Sequence, residues 1–247
     1  MTVSIALAGK GGTGKTTMAG LLVKYLVEKG KRPVLAVDAD PNANFNEVLG
    51  LEVGETLGEA REEMKKGVSA GMTKDVYMEM KLQEAVVEAS GFDLVVMGRP
   101  EGAGCYCAAN TLLTQYLDRL IDNYQYVVID NEAGMEHISR LTTNNIDNLI
   151  VVSDPTRRGI QAAKRIFDLV NELNLNIDKR FLIVNRAREE QKGVIEESVN
   201  RYGMELVGIV PEDPEVQEFD LRGRATIEIG EDSMALRASY GIFERLF

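Results

Sequence analysis

The feature that most restricts the fold is an eight-residue loop near the start of the chain, Gly9-Lys10-Gly11-Gly12-Thr13-Gly14-Lys15-Thr16. It matches G-x-x-x-x-G-K-[ST], the pattern of a loop that wraps phosphate. Glycines let successive backbone N–H groups turn toward one anion, and a following helix adds the positive end of its dipole. Such a loop needs a strand to deliver it and a helix to leave it. Val3 to Ala8 reads as a buried strand. Residues 14 to 29 read as a helix with Met18, Leu21, Leu22, Tyr25 and Leu26 on one face. Gly30 ends that helix, since glycine takes the left-handed cap conformation readily.

The same alternation continues along the chain. Short apolar runs occur at Pro33 to Val37, Phe92 to Met97, Tyr126 to Ile129, Asn148 to Val152, Phe181 to Val184 and Leu206 to Val210. Helical patterns lie between them, as in residues 158 to 173, where Ile160, Ala163, Ile166, Phe167 and Val170 share a face. Continuous apolar strands separated by amphipathic helices imply a parallel sheet covered on both sides. The expectation is α/β: a single doubly wound domain over residues 1–247, with a mostly parallel sheet of about seven strands. Residues 53 to 88 are charged and helical, an excursion near the second strand. Residues 233 to 247 are amphipathic, with Leu236, Tyr240, Phe243 and Phe247 in register, and are expected to dock on the core.

Charge narrows the partners. Lys and Arg number 28 against 39 Asp and Glu, a net charge of −11. Non-specific nucleic-acid binding draws mainly on Lys and Arg contacts to phosphate, so no nucleic-acid partner is expected. No apolar run approaches the roughly 18 to 20 residues of a membrane span. The terminal segment 233 to 247 carries only Arg237 and Arg245, a weak basic face for anionic lipid, so no membrane partner is expected. Thr2 leads directly into the first strand with no basic segment before it, and the chain has two cysteines, one residue apart. The expected location is a reducing cytoplasm.

Three groups of residues carry the chemistry. In the loop, Gly11, Gly12, Thr13, Gly14, Lys15, Thr16 and Thr17 are the expected nucleotide contacts. Lys15 is placed to reach the β- and γ-phosphates and Thr16 to ligate Mg²⁺. Asp38-Ala39-Asp40-Pro41-Asn42 puts two carboxylates at the end of the second strand, on the rim where parallel sheets bind ligands. Val127-Val128-Ile129-Asp130 is an apolar strand ending in a carboxylate that can hold a water on Mg²⁺. The third group is Gly102-Ala103-Gly104-Cys105-Tyr106-Cys107. Residues i and i+2 point the same way in an extended segment, and the glycines favour such a path. Two thiolates make half of a tetrahedral S₄ site, and a two-fold dimer interface would supply the other half. Zn²⁺ and Ni²⁺ both suit it. Two ordinary buried thiols are the alternative.

The second lysine of the loop, Lys10, gives Lys-Gly-Gly-Thr-Gly-Lys-Thr, which resembles the deviant Walker A loop of the MinD, ParA and nitrogenase iron protein superfamily. The resemblance implies a P-loop fold of the SIMIBI/MinD-like type and an ATPase that converts ATP and water to ADP and phosphate. It implies that Lys10 crosses a dimer interface to the neighbouring subunit's phosphates, that Asp40 positions the attacking water, and that Asp38 lies near Mg²⁺. It places a γ-phosphate-sensing N–H at Gly134 in Asn131-Glu132-Ala133-Gly134. Asn185 falls where the family has an adenine-contacting asparagine, and Pro211-Glu212-Asp213 where it has a second adenine-side segment. The Asn-Lys-x-Asp guanine signature is absent, which favours ATP.

Arg99-Pro100-Glu101-Gly102-Ala103-Gly104-Cys105 looks like the nitrogenase iron protein segment that bears one cluster cysteine. That family's other cluster cysteine lies in the second switch, where this chain has His137, so a four-iron cluster bridged in that way is not expected. Taken together, the loop, the Cys-x-Cys pair, Asp130-Asn-Glu-Ala-Gly-Met-Glu-His137 and Ser153-Asp154-Pro155-Thr156-Arg157-Arg158-Gly159 resemble the CooC family and its AcsF branch. Those ATPases mature carbon monoxide dehydrogenase and acetyl-CoA synthase. The resemblance implies a nucleotide- and metal-dependent homodimer with Ni²⁺ or Zn²⁺ at Cys105 and Cys107 and a nickel enzyme as client. Two other functions remain open on the sequence: a MinD- or ParA-like positioning ATPase, and an iron-protein-like electron donor.

Overall fold

The computed structural model describes residues 2–66, 73–98, 119–133 and 145–247. β1 (Val3–Ala8) runs into the phosphate loop and α1 (Lys15–Glu28). β2 (Val34–Ala39) is followed by the short α2 (Phe45–Leu49), then α3 (Leu57–Lys66) and α4 (Lys74–Ala85). β3 (Val86–Glu88) and β4 (Phe92–Val96) form a hairpin. β5 (Tyr126–Asn131), β6 (Asn145–Ser153), α5 (Arg157–Glu172), β7 (Asn176–Ala187) and α6 (Lys192–Tyr202) come next. The chain closes with β8 (Leu206–Pro211), α7 (Pro214–Leu221) and α8 (Met234–Leu246).

The strands form one eight-stranded sheet in the order β3-β4-β2-β5-β1-β6-β7-β8, parallel except for β3 on β4. Every residue of β2 and of β5 is buried, which explains the unbroken apolar runs Val34–Val37 and Tyr126–Ile129 that precede their polar ends. One face of the sheet packs Leu35, Val37, Val127, Ile129 and Val151 against Ile160, Ala163 and Ile166 of α5. The other packs Ile5, Leu7, Ala36, Val128 and Ile150 against Leu22 and Leu26 of α1 and Leu236 and Phe243 of α8. The doubly wound reading therefore holds, with one more strand than expected. The addition is β3, whose three residues become a strand only by pairing with β4 (Val87 opposite Leu94).

The amphipathic end of the chain docks as its pattern predicts. In α8, Tyr240 donates its hydroxyl hydrogen to Glu28 Oε2 at 2.6 Å and meets the Tyr25 ring edge-on at a centroid distance of 5.2 Å. Among the described residues, no helix is long and apolar enough to cross a membrane.

Candidate active site

The parallel register brings the chemistry-bearing ends of the central strands to one edge. Leu7 of β1 and Asp38 of β2 both lie opposite Asp130 of β5, so Asp38 and Asp130 are cross-strand neighbours beside the start of the phosphate loop. The loop is seated against β6. A Cβ at Gly9 would lie 2.3 Å from Val152 O, so only glycine fits that approach. Thr13 closes the loop on itself: its hydroxyl donates to Lys10 O at 2.9 Å. Gly14 takes the left-handed conformation (φ 86°) and precedes α1, whose first turn carries no acidic residue and so leaves its N-terminus to an external anion. Here too a side chain is excluded, since a Cβ at Gly14 would lie 2.4 Å from Asn185 Nδ2.

The two loop lysines are in opposite environments. Lys15 is buried, at 7% exposure, whereas Lys10 is exposed. Burial lowers the Lys15 pKa, and the negative charges of Asp130 and Asp40 oppose that shift. Thr16 and Thr17 are half-buried in the first turn of α1; Gly11 and Gly12 are exposed.

The buried carboxylates shift in the opposite direction. Asp38 is fully buried. Its Oδ1 accepts the Asp40 N–H at 3.0 Å and its Oδ2 accepts the Phe45 N–H at 2.9 Å. Burial still pushes its pKa up to about 6, against those two backbone bonds and with the charge of Asp40 adding to the rise. Asp130 is pushed up to about 7, mainly by burial, with a hydrogen bond from Thr16 opposing and the charge of Asp38 adding. Asp130 Oδ1 is buried and has no hydrogen-bond partner among the described residues. Asp40 is half-buried, and its Oδ1 accepts from the Asn42 backbone at 2.8 Å and side chain at 2.9 Å, leaving Oδ2 outside these bonds.

An orphaned buried carboxylate oxygen beside a threonine hydroxyl and a second buried carboxylate suits a hard divalent cation. Among the described residues, no three His, Cys, Asp or Glu side chains are grouped to hold a metal by themselves. The donor set thus fits Mg²⁺ in its usual mode, with substrate phosphates and water completing the shell.

On the other side of the loop, Asn185 and Arg186 line a cavity with Thr17, Val210, Pro211 and Asp213. Of the residues expected at the base, Asn185, Pro211 and Asp213 line this cavity and Glu212 does not, and the polar side chains are already engaged. Asn185 Nδ2 donates to Thr13 O at 2.9 Å. Glu212 accepts from Arg188 Nε at 3.1 Å and from Gln217 Nε2 at 3.1 Å. Asp213 is buried and accepts three bonds: Glu215 N–H at 2.9 Å, Ser233 hydroxyl at 2.7 Å and Ala235 N–H at 2.8 Å. It caps α7 and ties α7 to the start of α8, so its carboxylate is taken up by the fold, although Asp213 and Pro211 both line the cavity.

Two contributors escaped the sequence reading. Asn131 is buried, and its Nδ2 donates to Leu7 O at 2.9 Å, which fixes the end of β5 to β1 beside the loop. Arg186 Nη1 donates to Gly12 O at 3.1 Å. Position alone hinted at both, since each directly follows a site residue. Gly134, Cys105, Cys107 and His137 lie outside the described residues.

Comparison with known proteins agrees with this geometry. The sequence profile of the CobQ/CobB/MinD/ParA nucleotide binding domain matches residues 4–227. The chain belongs to that family. By family it is a P-loop ATPase, and the strand, loop and carboxylate arrangement agrees with that. An uncharacterized ATP-binding protein of Methanocaldococcus jannaschii is 43% identical, with 98% of this chain and 97% of the relative covered. The carbon monoxide dehydrogenase accessory protein CooC of Rhodospirillum rubrum is 30% identical, with 92% and 90% covered. The septum site-determining protein MinD of Pyrococcus horikoshii, solved as a complex with Mg-ADP, superposes with a TM-score of 0.72. It is 23% identical, with 100% of this chain and 96% of that one covered, a likeness of fold.

Proposed function

We propose that this chain is an ATP-gated homodimer that helps deliver nickel to a client nickel enzyme, carbon monoxide dehydrogenase or acetyl-CoA synthase. The observation that carries the ATP-gated dimer is the split between the loop lysines. Lys15 is buried among the site carboxylates, and Lys10 projects from the same loop into solvent. A second exposed cation on a phosphate loop has little to do for its own subunit's nucleotide and suits a phosphate presented across an interface. Support for the nickel role is the Cys-Tyr-Cys sequence at Cys105 and Cys107, together with the similarity to CooC over nearly the whole chain.

In this reading Thr16, with Asp38 and Asp130 beside it, would hold Mg²⁺, which would neutralise charge on the β- and γ-phosphates when bound. Lys15 and the loop N–H groups bind the phosphates. Asp40 orients the attacking water toward the γ-phosphorus; as the water oxygen bonds to it and the bond to the ADP oxygen breaks, the water's proton passes to an oxygen of the phosphate released. Lys10 of the partner subunit compensates the charge that develops on the transferring group. Gly134, in the second switch, senses the γ-phosphate, so the dimer forms with ATP and relaxes with ADP. Asn185 and the segment Pro211-Glu212-Asp213 form the adenine side. Cys105 and Cys107 from both subunits make one S₄ site for Ni²⁺ or Zn²⁺, opened and closed by the nucleotide cycle.

Anaerobic titration with Ni²⁺ or Zn²⁺, with mass and metal content followed together, tests this. The expected stoichiometry is one metal per dimer. Metal should promote dimers without nucleotide, because binding to the dimer alone shifts the equilibrium. Cys105→Ser or Cys107→Ser should weaken both effects, since each removes two of four thiolates. One metal per monomer, undiminished in the double serine variant, refutes the shared site. Nucleotide-dependent pelleting with lipid or DNA, together with no metal binding, would instead place the chain with the positioning ATPases.

A further inference from the structure

The end of β7 does not keep step with β8. Val184 lies opposite Ile209 and Ala187 opposite Pro211, so β7 takes three steps where β8 takes two. The extra residue makes a bulge, a device that re-aims side chains at the edge of a sheet. Asn185 and Arg186 occupy it, and Arg186 has φ 58°, an uncommon conformation for a residue with a side chain. On a regular strand two successive side chains point to opposite faces. Here both reach the phosphate loop, and they reach adjacent carbonyls: Asn185 Nδ2 donates to Thr13 O at 2.9 Å and Arg186 Nη1 to Gly12 O at 3.1 Å.

These carbonyls are the reverse side of the phosphate nest. A loop that turns its N–H groups toward an anion must turn its C=O groups away, and those oxygens need donors of their own. We propose that Asn185 and Arg186 are positioning residues that hold the phosphate loop in its binding shape from behind, and that Asn185 links that shape to the base. A side-chain amide has two N–H donors and two acceptor lone pairs. One donor is used on Thr13 O, and one lone pair accepts the Arg186 N–H at 3.0 Å. One donor and one acceptor are left, the complement of adenine N7 and the N6 amino group. Asn185 can thus bind the base without releasing the loop, so the base contact and the phosphate contact share one residue.

This inference rests on ATP being the nucleotide, and the test separates the two. The probe is inorganic tripolyphosphate with Mg²⁺, which has phosphates and no base, titrated by calorimetry into the full chain beside MgATP. A residue that only contacts adenine does not affect tripolyphosphate binding or the turnover rate at saturating ATP. The expected result is that Asn185→Ala and Arg186→Ala each weaken tripolyphosphate binding about tenfold, the effect of one hydrogen bond to an otherwise unpaired carbonyl, and lower the saturated turnover as well. Arg186→Lys, which keeps a donor, should recover part of both losses. Melting curves for each variant identify a loss that comes from unfolding. Unchanged tripolyphosphate affinity with unchanged saturated turnover in both alanine variants overturns the inference and leaves the ATP reading intact. Failure of the unaltered protein to bind MgATP overturns the ATP reading itself.

Discussion

Asp213 offers the sharpest separation of a structural role from a nucleotide-binding one. Its carboxylate caps α7 through Glu215 N–H and receives the Ser233 hydroxyl and Ala235 N–H from the start of α8. Ser233 in turn caps α8 by accepting the Leu236 N–H at 3.1 Å. Asp213→Ala removes an N-cap, worth about 1 kcal/mol. It also removes two bonds to a buried carboxylate, at roughly 1 kcal/mol each after relaxation. The expected loss is about 3 kcal/mol. In a urea titration with a slope of about 3 kcal/mol per molar, the midpoint should fall by roughly 1 M. Asp213→Ser restores the cap and not the tie to α8, so it should recover about a third. Burial alone would raise the Asp213 pKa, but the bonds from Ala235, Ser233 and Glu215 outweigh it and leave it below the ordinary value. A lowered folded pKa means that its stabilisation is fully present above the unfolded value of about 3.9 and disappears as the pH falls through the folded one. The difference between the native protein and Asp213→Ala should therefore narrow only in acid below about pH 4. A stability loss under about 1 kcal/mol together with a raised KM for ATP would refute the reasoning and make Asp213 a base contact.

Two further outcomes follow from the site. Asp40→Asn should keep MgATP affinity while slowing turnover by roughly 10²-fold, as expected for loss of a water-orienting carboxylate; turnover equal to the native protein removes Asp40 from that role. Lys10→Gln should leave nucleotide affinity nearly unchanged, because the side chain is exposed in its own subunit. It should impair dimerisation with a non-hydrolysable ATP analogue in sedimentation, and an unchanged dimer fraction with normal turnover excludes the action across the interface.

The sheet was legible because burial on both faces leaves an unbroken apolar signal, as in Val34-Leu35-Ala36-Val37 and Val127-Val128-Ile129. Asp38 and Asp130 stood out because each ends an apolar parallel strand, on the rim where such sheets bind ligands. β3 was not legible: Val86-Val87-Glu88 continues directly from α4, and only pairing with β4 makes it a strand. The polar beginning of β7, Asn176 to Arg180, was hidden for the same reason, being set by its register on β6. Within the site, the family resemblance put Asn185 and Asp213 on the adenine side but could not say what they touch. Asn185 meets Thr13, 172 positions away, and Asp213 meets Ser233 and Ala235 on another helix. Such partners follow from the packing of distant elements, which no local period encodes.

The strand order has a consequence for how the molecule is made. Of the eight strands, β1 is synthesised before the others, yet its two neighbours in the sheet are β5 and β6. The contact that fixes Asn131 to Leu7 joins residues 124 positions apart, and the wall behind Gly9 is Val152. The phosphate loop is thus encoded early and assembled late. A nascent chain that ends before β6 has the whole Gly9–Thr16 motif but lacks the backbone against which it is seated, and Asn185 and Arg186 arrive later still. Closing such long loops before any contact compensates for the lost chain entropy makes folding slow. Nucleotide can therefore stabilise the chain only after most of it has been synthesised, which makes ATP a ligand of the finished fold and not a template for it.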